Sequence, residues 1–317
     1  MRRTSYLTLI AGIGLALASP AMALTGTDGP AHGMAMHGEP KYGPAFSHFD
    51  YADPGALTGG EDIRRAIGTF DSLNPFIIQG NPAAGIGLIY DTLTTSSADE
   101  AFTQYCLLCA TMEIPDDRSW VEYELRHDAF WHDGEPITPA DVIFSFNALR
   151  EKGAPFYRFY YRDVTKVEQT GQRKVKFSFG DIQNPELALI VGQLPILPAH
   201  YWETRDIGKT TLDIPLGSGP YKISDVKVGR SITLERVPEY WGRNQPTNIG
   251  RNNIDTLRYE YFRDPGVGRI ALVSGDIDRA RENSSKAWAT EFTDTKPVQD
   301  GKLLLEEFPH QRTAPIQ

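Results

Sequence analysis

The sequence predicts an α/β protein with a mixed sheet, because segments that alternate with period two are interspersed with segments that carry helix signals. Trp120 to His127 places Val121, Tyr123 and Leu125 on one face and Glu122, Glu124 and Arg126 on the other, the pattern of a half-buried strand. Thr138 then stands at a helix cap, with Pro139 at the first position and Asp141 three residues beyond the cap. Three further alternating segments follow.

In chain order, residues 24–60 are rich in Gly, Pro, Ala and His, too poor in apolar area to fold alone, and predict an extended arm over the domain. Ile67 to Phe76 starts apolar and breaks into Asp, Ser, Asn and Pro, a short strand running into a loop. Ala83 to Leu93, with Ile86, Leu88, Ile89 and Leu93, is dense enough in apolar residues for a buried helix. Asp133-Gly134 is a turn signal, and Val142, Ile143, Phe146 and Leu149 line one face of the helix that Thr138 opens. Gly153 followed by Pro155 ends it. Val175, Phe177 and Phe179 alternate with polar residues, as do Ile232 and Leu234, and Leu257, Tyr259 and Tyr261, giving three more strands.

The ends and the charge narrow the class. Arg2 and Arg3, the apolar run from Tyr6 to Ala18 and the small residues Ala21 to Ala23 make residues 1–23 a cleavable signal peptide of the Sec type. Removing it takes away two positive charges and moves the net charge from −9 to −11, which repels nucleic acid. No Cys stands near the cleavage site to carry a lipid, and no later apolar run suits a transmembrane helix. A soluble, monomeric, periplasmic product is expected.

Cys106 and Cys109 form a lone C-x-x-C pair without the context of a thioredoxin-like motif, so a local disulfide or two buried thiols is expected rather than redox chemistry. Zinc would need about four ligands, and no second pair stands at a suitable spacing. His32, Met34, Met36 and His37 are of the type that holds copper, but a solvating tail is the plainer reading. No metal or cofactor is expected.

The stretch from Trp120 to Phe146, the segment Leu216-Gly217-Ser218-Gly219-Pro220-Tyr221 and the segment Glu235-Arg236-Val237-Pro238-Glu239-Tyr240-Trp241-Gly242 resemble, in order, the motifs of the family 5 extracellular solute-binding proteins. These serve importers of oligopeptides, dipeptides and nickel. His37 to Tyr42, Gly68 to Phe76, Pro155-Phe156-Tyr157, Gly192 to Pro195 and Glu282 to Lys286 resemble the branch linked to microcin C uptake. One departure is Glu61 to Ala66, heavily charged where the family carries a smooth apolar run, which weighs against a strand there. Family members also continue past the length of this chain through a second lobe.

The resemblance implies a type II periplasmic binding protein-like fold, with a first lobe that carries an inserted subdomain. Residues 61–89 and 179–281 would form the main subdomain, 90–178 the insert and 282–317 the start of a second lobe that is largely absent. It implies a non-enzymatic protein that captures short peptides and delivers them to an inner-membrane ABC permease. A peptide enclosed in a cleft needs partners for its backbone, which pairing beside a sheet edge supplies.

The loop after the first strand would face that cleft, making Thr69, Phe70, Asp71, Ser72 and Asn74 the first ligand-binding candidates. Asp71 suits a peptide α-amino group. The same loop also reads as an Asx-type turn in which Asp71 and Asn74 cap local backbone. Gly217, Gly219 and Pro220 are expected to shape a turn, with Ser218 an ambiguous ligand candidate. Arg281, at the crossover, suits a ligand carboxylate or a surface ion pair. Trp131, His132, Tyr240 and Trp241 are expected to pack rather than bind.

Paired carboxylates keep a glycosidase formally open, yet no G-x-S-x-G, H-E-x-x-H or phosphate loop is present. Two further possibilities are a binder of the same fold for oligosaccharide, nickel or haem, and a nonfunctional fragment, since fold alone does not fix the ligand.

Overall fold

The computed structural model describes residues 26–27, 29–180 and 184–307. The signal peptide expected at residues 1–23 lies outside them, as do residues 308–317. In chain order the elements are β1 (Gly33–Ala35), β2 (Glu61–Ile67), β3 (Thr94–Thr95), β4 (Thr103–Cys106), β5 (Cys109–Glu113) and β6 (Trp120–Leu125). Then come α1 (Pro139–Lys152), α2 (Pro155–Tyr160), β7 (Val164–Gln169), β8 (Lys174–Phe179), α3 (Leu187–Gly192) and α4 (Ala199–Trp202). The chain continues through β9 (Tyr221–Lys227), β10 (Ser231–Arg236), β11 (Thr256–Phe262), α5 (Pro265–Ser274), α6 (Ser285–Glu291) and α7 (Lys296–Gln299).

One sheet runs β2-β11-β10-β9, with β2 parallel to β11 and the other pairs antiparallel, so it is mixed as the sequence predicts. Ile232, Leu234, Leu257, Tyr221 and Ile223 bury its inner face. The charges of Glu61 to Ala66 do not prevent a strand. They alternate across the pleat and find partners: Asp62 pairs with Arg64 at 2.8 Å, Glu61 with Arg258 at 3.1 Å and Arg65 with Glu282 at 3.5 Å. The strand therefore ends at Ile67, where the apolar pattern alone had it begin.

A second sheet, β5-β6-β8-β7, is wholly antiparallel. Val121, Tyr123 and Leu125 on β6 and Val175, Phe177 and Phe179 on β8 are buried together, as their alternation requires. Helix α1 covers this face through Val142, Phe146 and Leu149, with the rings of Phe146 and Phe177 5.7 Å apart. Its start is the expected reciprocal cap: the Thr138 N–H donates to Asp141 Oδ2 at 2.9 Å and the Thr138 side chain takes the Asp141 backbone.

The third sheet, β1-β4-β3, shows that the described part of the segment expected as an extended arm also contributes a strand, Gly33–Ala35. Strand β1 pairs antiparallel with β4, and Tyr42, Phe46 and Phe49 gather on Tyr105 with centroids 5.5–5.8 Å from its ring. These aromatics supply the apolar area that the Gly, Pro and His content withholds. Lys41 ties the cluster down by pairing with Asp99 at 2.5 Å and Asp50 at 2.9 Å.

The helix expected over Ala83 to Leu93 is instead a single 3-10 turn at Ile86–Ile89. Gly85 sits at φ 76°, and the Ile89 carbonyl accepts from Ser218 N at 3.0 Å and Gly219 N at 2.9 Å rather than from its own helix. Tertiary bonds satisfy the backbone, so apolar density alone does not make a helix here. Cys106 and Cys109 are buried and joined in a disulfide at the turn from β4 to β5. Met34 and Met36 lie in the core, which removes them from any copper site. Among the described residues, no group of three or more His, Cys, Asp or Glu is placed to hold a metal, and no helix is long and apolar enough to cross a membrane.

Candidate functional site

Open α/β sheets receive ligands outside the carboxyl ends of their strands. Those ends meet here at Ile67 and Phe262, where Gly68 N–H donates to the Phe262 carbonyl at 2.8 Å. That bond fixes which backbone groups of β2 point outward: even-numbered residues bond β11, and odd-numbered ones face the edge. Along the first half of the edge the returning chain takes them. Ile63 N–H donates to Asp278 Oδ2 at 2.8 Å, the Ile63 carbonyl accepts from Asp278 N and Arg279 N, and Arg65 N–H donates to the Arg279 carbonyl at 3.0 Å. Beyond this point, among the described residues, the Arg65 carbonyl and the N–H and carbonyl of Ile67 have no hydrogen-bond partner, and Ile67 is 44% exposed.

The chain that leaves this edge is clamped from behind. Arg65 and Arg269 both pair with the half-buried Glu282, at 3.5 and 2.9 Å, and Arg269 reaches Glu291 at 3.0 Å. Burial pushes the Glu282 carboxyl up, but the Ser284 N–H and the two guanidiniums outweigh it and hold the group below the usual carboxylate range. The Arg281 carbonyl accepts from the Arg65 guanidinium, while Arg281 itself is exposed.

The sequence-selected loop residues divide into two sets. Thr69 and Asp71 are exposed. Asp71 Oδ1 accepts the Asn81 N–H at 2.6 Å, closing the loop while its charge faces solvent. Phe70 is buried with its ring 5.0 Å from that of Tyr261. Ser72 and Asn74 are buried as well: Ser72 Oγ accepts Asn74 N–H at 3.0 Å, and the Asn74 amide donates to the carbonyls of Ile207 at 2.8 Å and Lys209 at 2.9 Å. Asn74 Oδ1 accepts Phe76 N–H at 3.0 Å, the Asx-type arrangement. The structure thus leaves Thr69, Asp71 and Arg281 exposed, with Thr69 against the β9–β10 turn at Gly229, Asp71 beside Gly80 and only Arg281 held next to β2, and assigns Phe70, Ser72 and Asn74 to the loop's internal frame.

Ser218 lies elsewhere, in a buried node that sequence reasoning missed. At its centre is Asp91, 3% exposed. Tyr240 Oη donates to Asp91 Oδ1 at 2.9 Å, and Trp241 Nε1 donates to Oδ2 at 3.0 Å and to the Ser218 carbonyl at 3.2 Å. Ser218 Oγ, fully buried beside the same carboxylate, helps to hold its charge, although its geometry falls short of a hydrogen bond. Burial outweighs these donors and pushes the Asp91 carboxyl up to about 7. The Asp91 carbonyl accepts Ile196 N–H at 2.9 Å.

Around the node the chain is pressed close. A Cβ at Gly217 would lie 1.9 Å from the Ile89 carbonyl oxygen, and one at Gly219 2.5 Å from that of Leu88. His132 joins from the β6 side, with Nε2 2.8 Å from the Gly219 carbonyl and its backbone N–H donating to Gly217. Burial lowers the His132 pKa, favouring the neutral ring. Segments around Trp131, Gly217 and Tyr240, far apart in sequence, therefore converge on one carboxylate. The available signal was Asp91 itself, an ionisable residue inside the apolar run from Ile86 to Leu93, which must find donors when buried.

With this geometry in hand, comparison with known proteins is direct. Residues 103–314 match the family model described as bacterial extracellular solute-binding proteins, family 5 middle. The chain is 42% identical over 310 residues to a probable peptide-binding protein YejA of Agrobacterium fabrum, covering 95% of this chain and 50% of that one. It is 40% identical over 258 residues to the peptidoglycan-binding protein YepA of the same organism, covering 78% of this chain and 42% of that one. The chain thus spans about half the length of these relatives. Among solved structures, the oligopeptide-binding protein AppA of Bacillus subtilis, in complex with a nonapeptide, superposes with a TM-score of 0.63 at 22% identity, over 76% of this chain and 47% of that one. That likeness establishes the type II periplasmic binding protein fold. The family is one of binding proteins rather than enzymes, and this chain belongs to it, as a member of family 5 of the bacterial extracellular solute-binding proteins.

Proposed function

We propose that the chain forms the first lobe of a periplasmic peptide-binding component that delivers short peptides to an inner-membrane ABC permease, reached by way of the signal peptide at residues 1–23. In this reading residues 61–89 and 179–281 are the main subdomain, 90–178 the insert and 282–317 the start of a second lobe. The observation that carries it is the free edge of β2. The Arg65 carbonyl and the N–H and carbonyl of Ile67 offer an extended peptide the backbone partners it loses on leaving water. Thr69 is exposed on the loop that follows β2, Asp71 is the group for a peptide α-amino end, and Arg281 the group for a carboxylate. The names of the relatives support peptide as the solute class. Main-chain pairing of this kind holds peptides without reading their sequence.

A second reading, favoured by the likeness to YepA, is that the peptides are cell-wall fragments carrying amino sugars. Calorimetric titration of the chain with tripeptides to decapeptides, a muropeptide, neutral oligosaccharides and Ni²⁺ tests both. Peptides are expected to give heat, weakly, because one lobe covers one side of a ligand. Heat from sugars or nickel alone overturns the peptide assignment, and heat from the muropeptide alone selects the second reading.

A further inference from the structure

Behind the Asp91 node, the turn after β10, the segment 243–253 and Pro54 and Thr58 of the arm line an open-sided hollow of about 220 Å³. Its wall is cationic and amide-rich, carrying Arg236, Arg243, Arg251, Asn244, Asn248 and Asn252. Carboxylates pair with two of the three arginines. Asp255 is taken by Arg236, at 3.0 Å from Nε and 2.5 Å from Nη2, and Glu239 stands 3.9 Å from Arg243 with its side chain 89% exposed. Arg243 donates to the Pro238 carbonyl at 2.9 Å and Arg251 to the Thr247 carbonyl at 3.0 Å, which uses one N–H of the five on each guanidinium. The side chains of Asn244 and Asn252 make no hydrogen bond among the described residues. In a chain of net charge −9, Arg251 thus stands in this wall with no carboxylate paired to it among the described residues.

The wall is also built to hold its shape. Asn252 adopts φ 55°, the left-handed conformation that asparagine tolerates better than most residues with a side chain. Gly250, at φ 74°, lets the loop press on the arm, where a Cβ would come within 2.6 Å of the Asp53 carbonyl oxygen. Guanidinium forks with spare donors beside free amides match the geometry of a phosphate or carboxylate group.

We propose that this hollow is a second binding site, separate from the β2 edge, for a small oxyanion carrying phosphate or carboxylate groups, held by Arg243 and Arg251 with the amides of Asn244 and Asn252. The test is calorimetric titration of the chain with inorganic phosphate and, separately, with citrate, against sodium chloride of matched ionic strength. Saturable one-to-one binding of either anion is expected, and the tighter of the two identifies the chemistry. Arg243→Ala with Arg251→Ala is expected to weaken it at least tenfold. Both arginines are exposed, and near-ultraviolet circular dichroism reports whether the fold survives. If the double variant fails to fold, Asn244→Asp, a single exposed change that places a negative charge in the wall, is expected to give the same loss. Absence of binding to both anions, an equal response to chloride, or unchanged affinity in the folded variants overturns the proposal.

Discussion

At the free edge of β2, backbone groups are left without partners and side chains face water, whereas at Asp91 the donors within reach are spent on one buried carboxylate. The two regions are joined through the same sheet and core, yet they answer different demands. An edge that takes an extended chain by its backbone, as proposed for β2, must keep generic main-chain donors and acceptors available. A joint between segments separated by more than a hundred residues must leave nothing available. Two of the segments that carry the family resemblance, Leu216 to Tyr221 and Glu235 to Gly242, meet at the second kind of region, against Ile89 and Asp91.

The comparison can be broken most sharply at its buried end. Asp91→Ala strands the Tyr240 hydroxyl and one bond of the Trp241 indole in the core, and is expected to cost about 3 kcal/mol in urea unfolding. A loss below about 1 kcal/mol would show that the node is not a joint. Gly217→Ala forces a methyl against the Ile89 carbonyl and is expected to cost about 2 kcal/mol by the same measurement. An unchanged midpoint would mean that the two segments can part without penalty.

A pH series sharpens the contrast further. The Asp91 carboxyl is raised from 3.8 to about 7, so the folded state binds a proton that the unfolded chain does not hold between those values. Its contribution to stability therefore rises as pH falls from about 7 toward about 4 and is lost again as pH climbs through 7. Asp91→Asn is expected to flatten that slope, and a wild-type slope surviving in the variant would assign it to other groups. At the exposed end the effects are smaller on stability and larger on binding. Asp71→Asn keeps an acceptor for the Asn81 N–H but removes the charge. It is expected to shift stability by less than about 0.5 kcal/mol while weakening peptides with a free amino end about tenfold, an effect that acetylated peptides should not show.

Much of the frame could be read from the sequence where the physics is local. The alternation from Trp120 to Leu125 and the Thr138–Asp141 cap depend on neighbours two to four residues away, and both stand as expected. The charged strand β2 could not be read this way, because its ion pairs reach to Arg258, Glu282 and Arg279. The supposed helix at Ala83 to Leu93 failed for the same reason, since Ile89 finds its donors on Ser218 and Gly219. Tyr240 and Trp241 read as packing residues and do pack, but their polar ends have a second task on Asp91 that no nearby residue announces. At the candidate site the loop was legible, while the division between exposed Thr69 and Asp71 and buried Phe70, Ser72 and Asn74 was not. That division is set by Tyr261, Ile207 and Lys209 from distant segments.

The parallel pairing of β2 with β11 has a temporal consequence. Glu61 aligns with Thr256, so this sheet cannot close until nearly two hundred further residues have been synthesised. The antiparallel sheet from Cys109 to Phe179 needs only its own stretch of chain and can assemble first. Contacts between residues so distant along the chain slow folding through the entropy of closing the loop between them. The antiparallel sheet can therefore form before this one, and the edge at Ile67 takes its final form only after β11 has found β2.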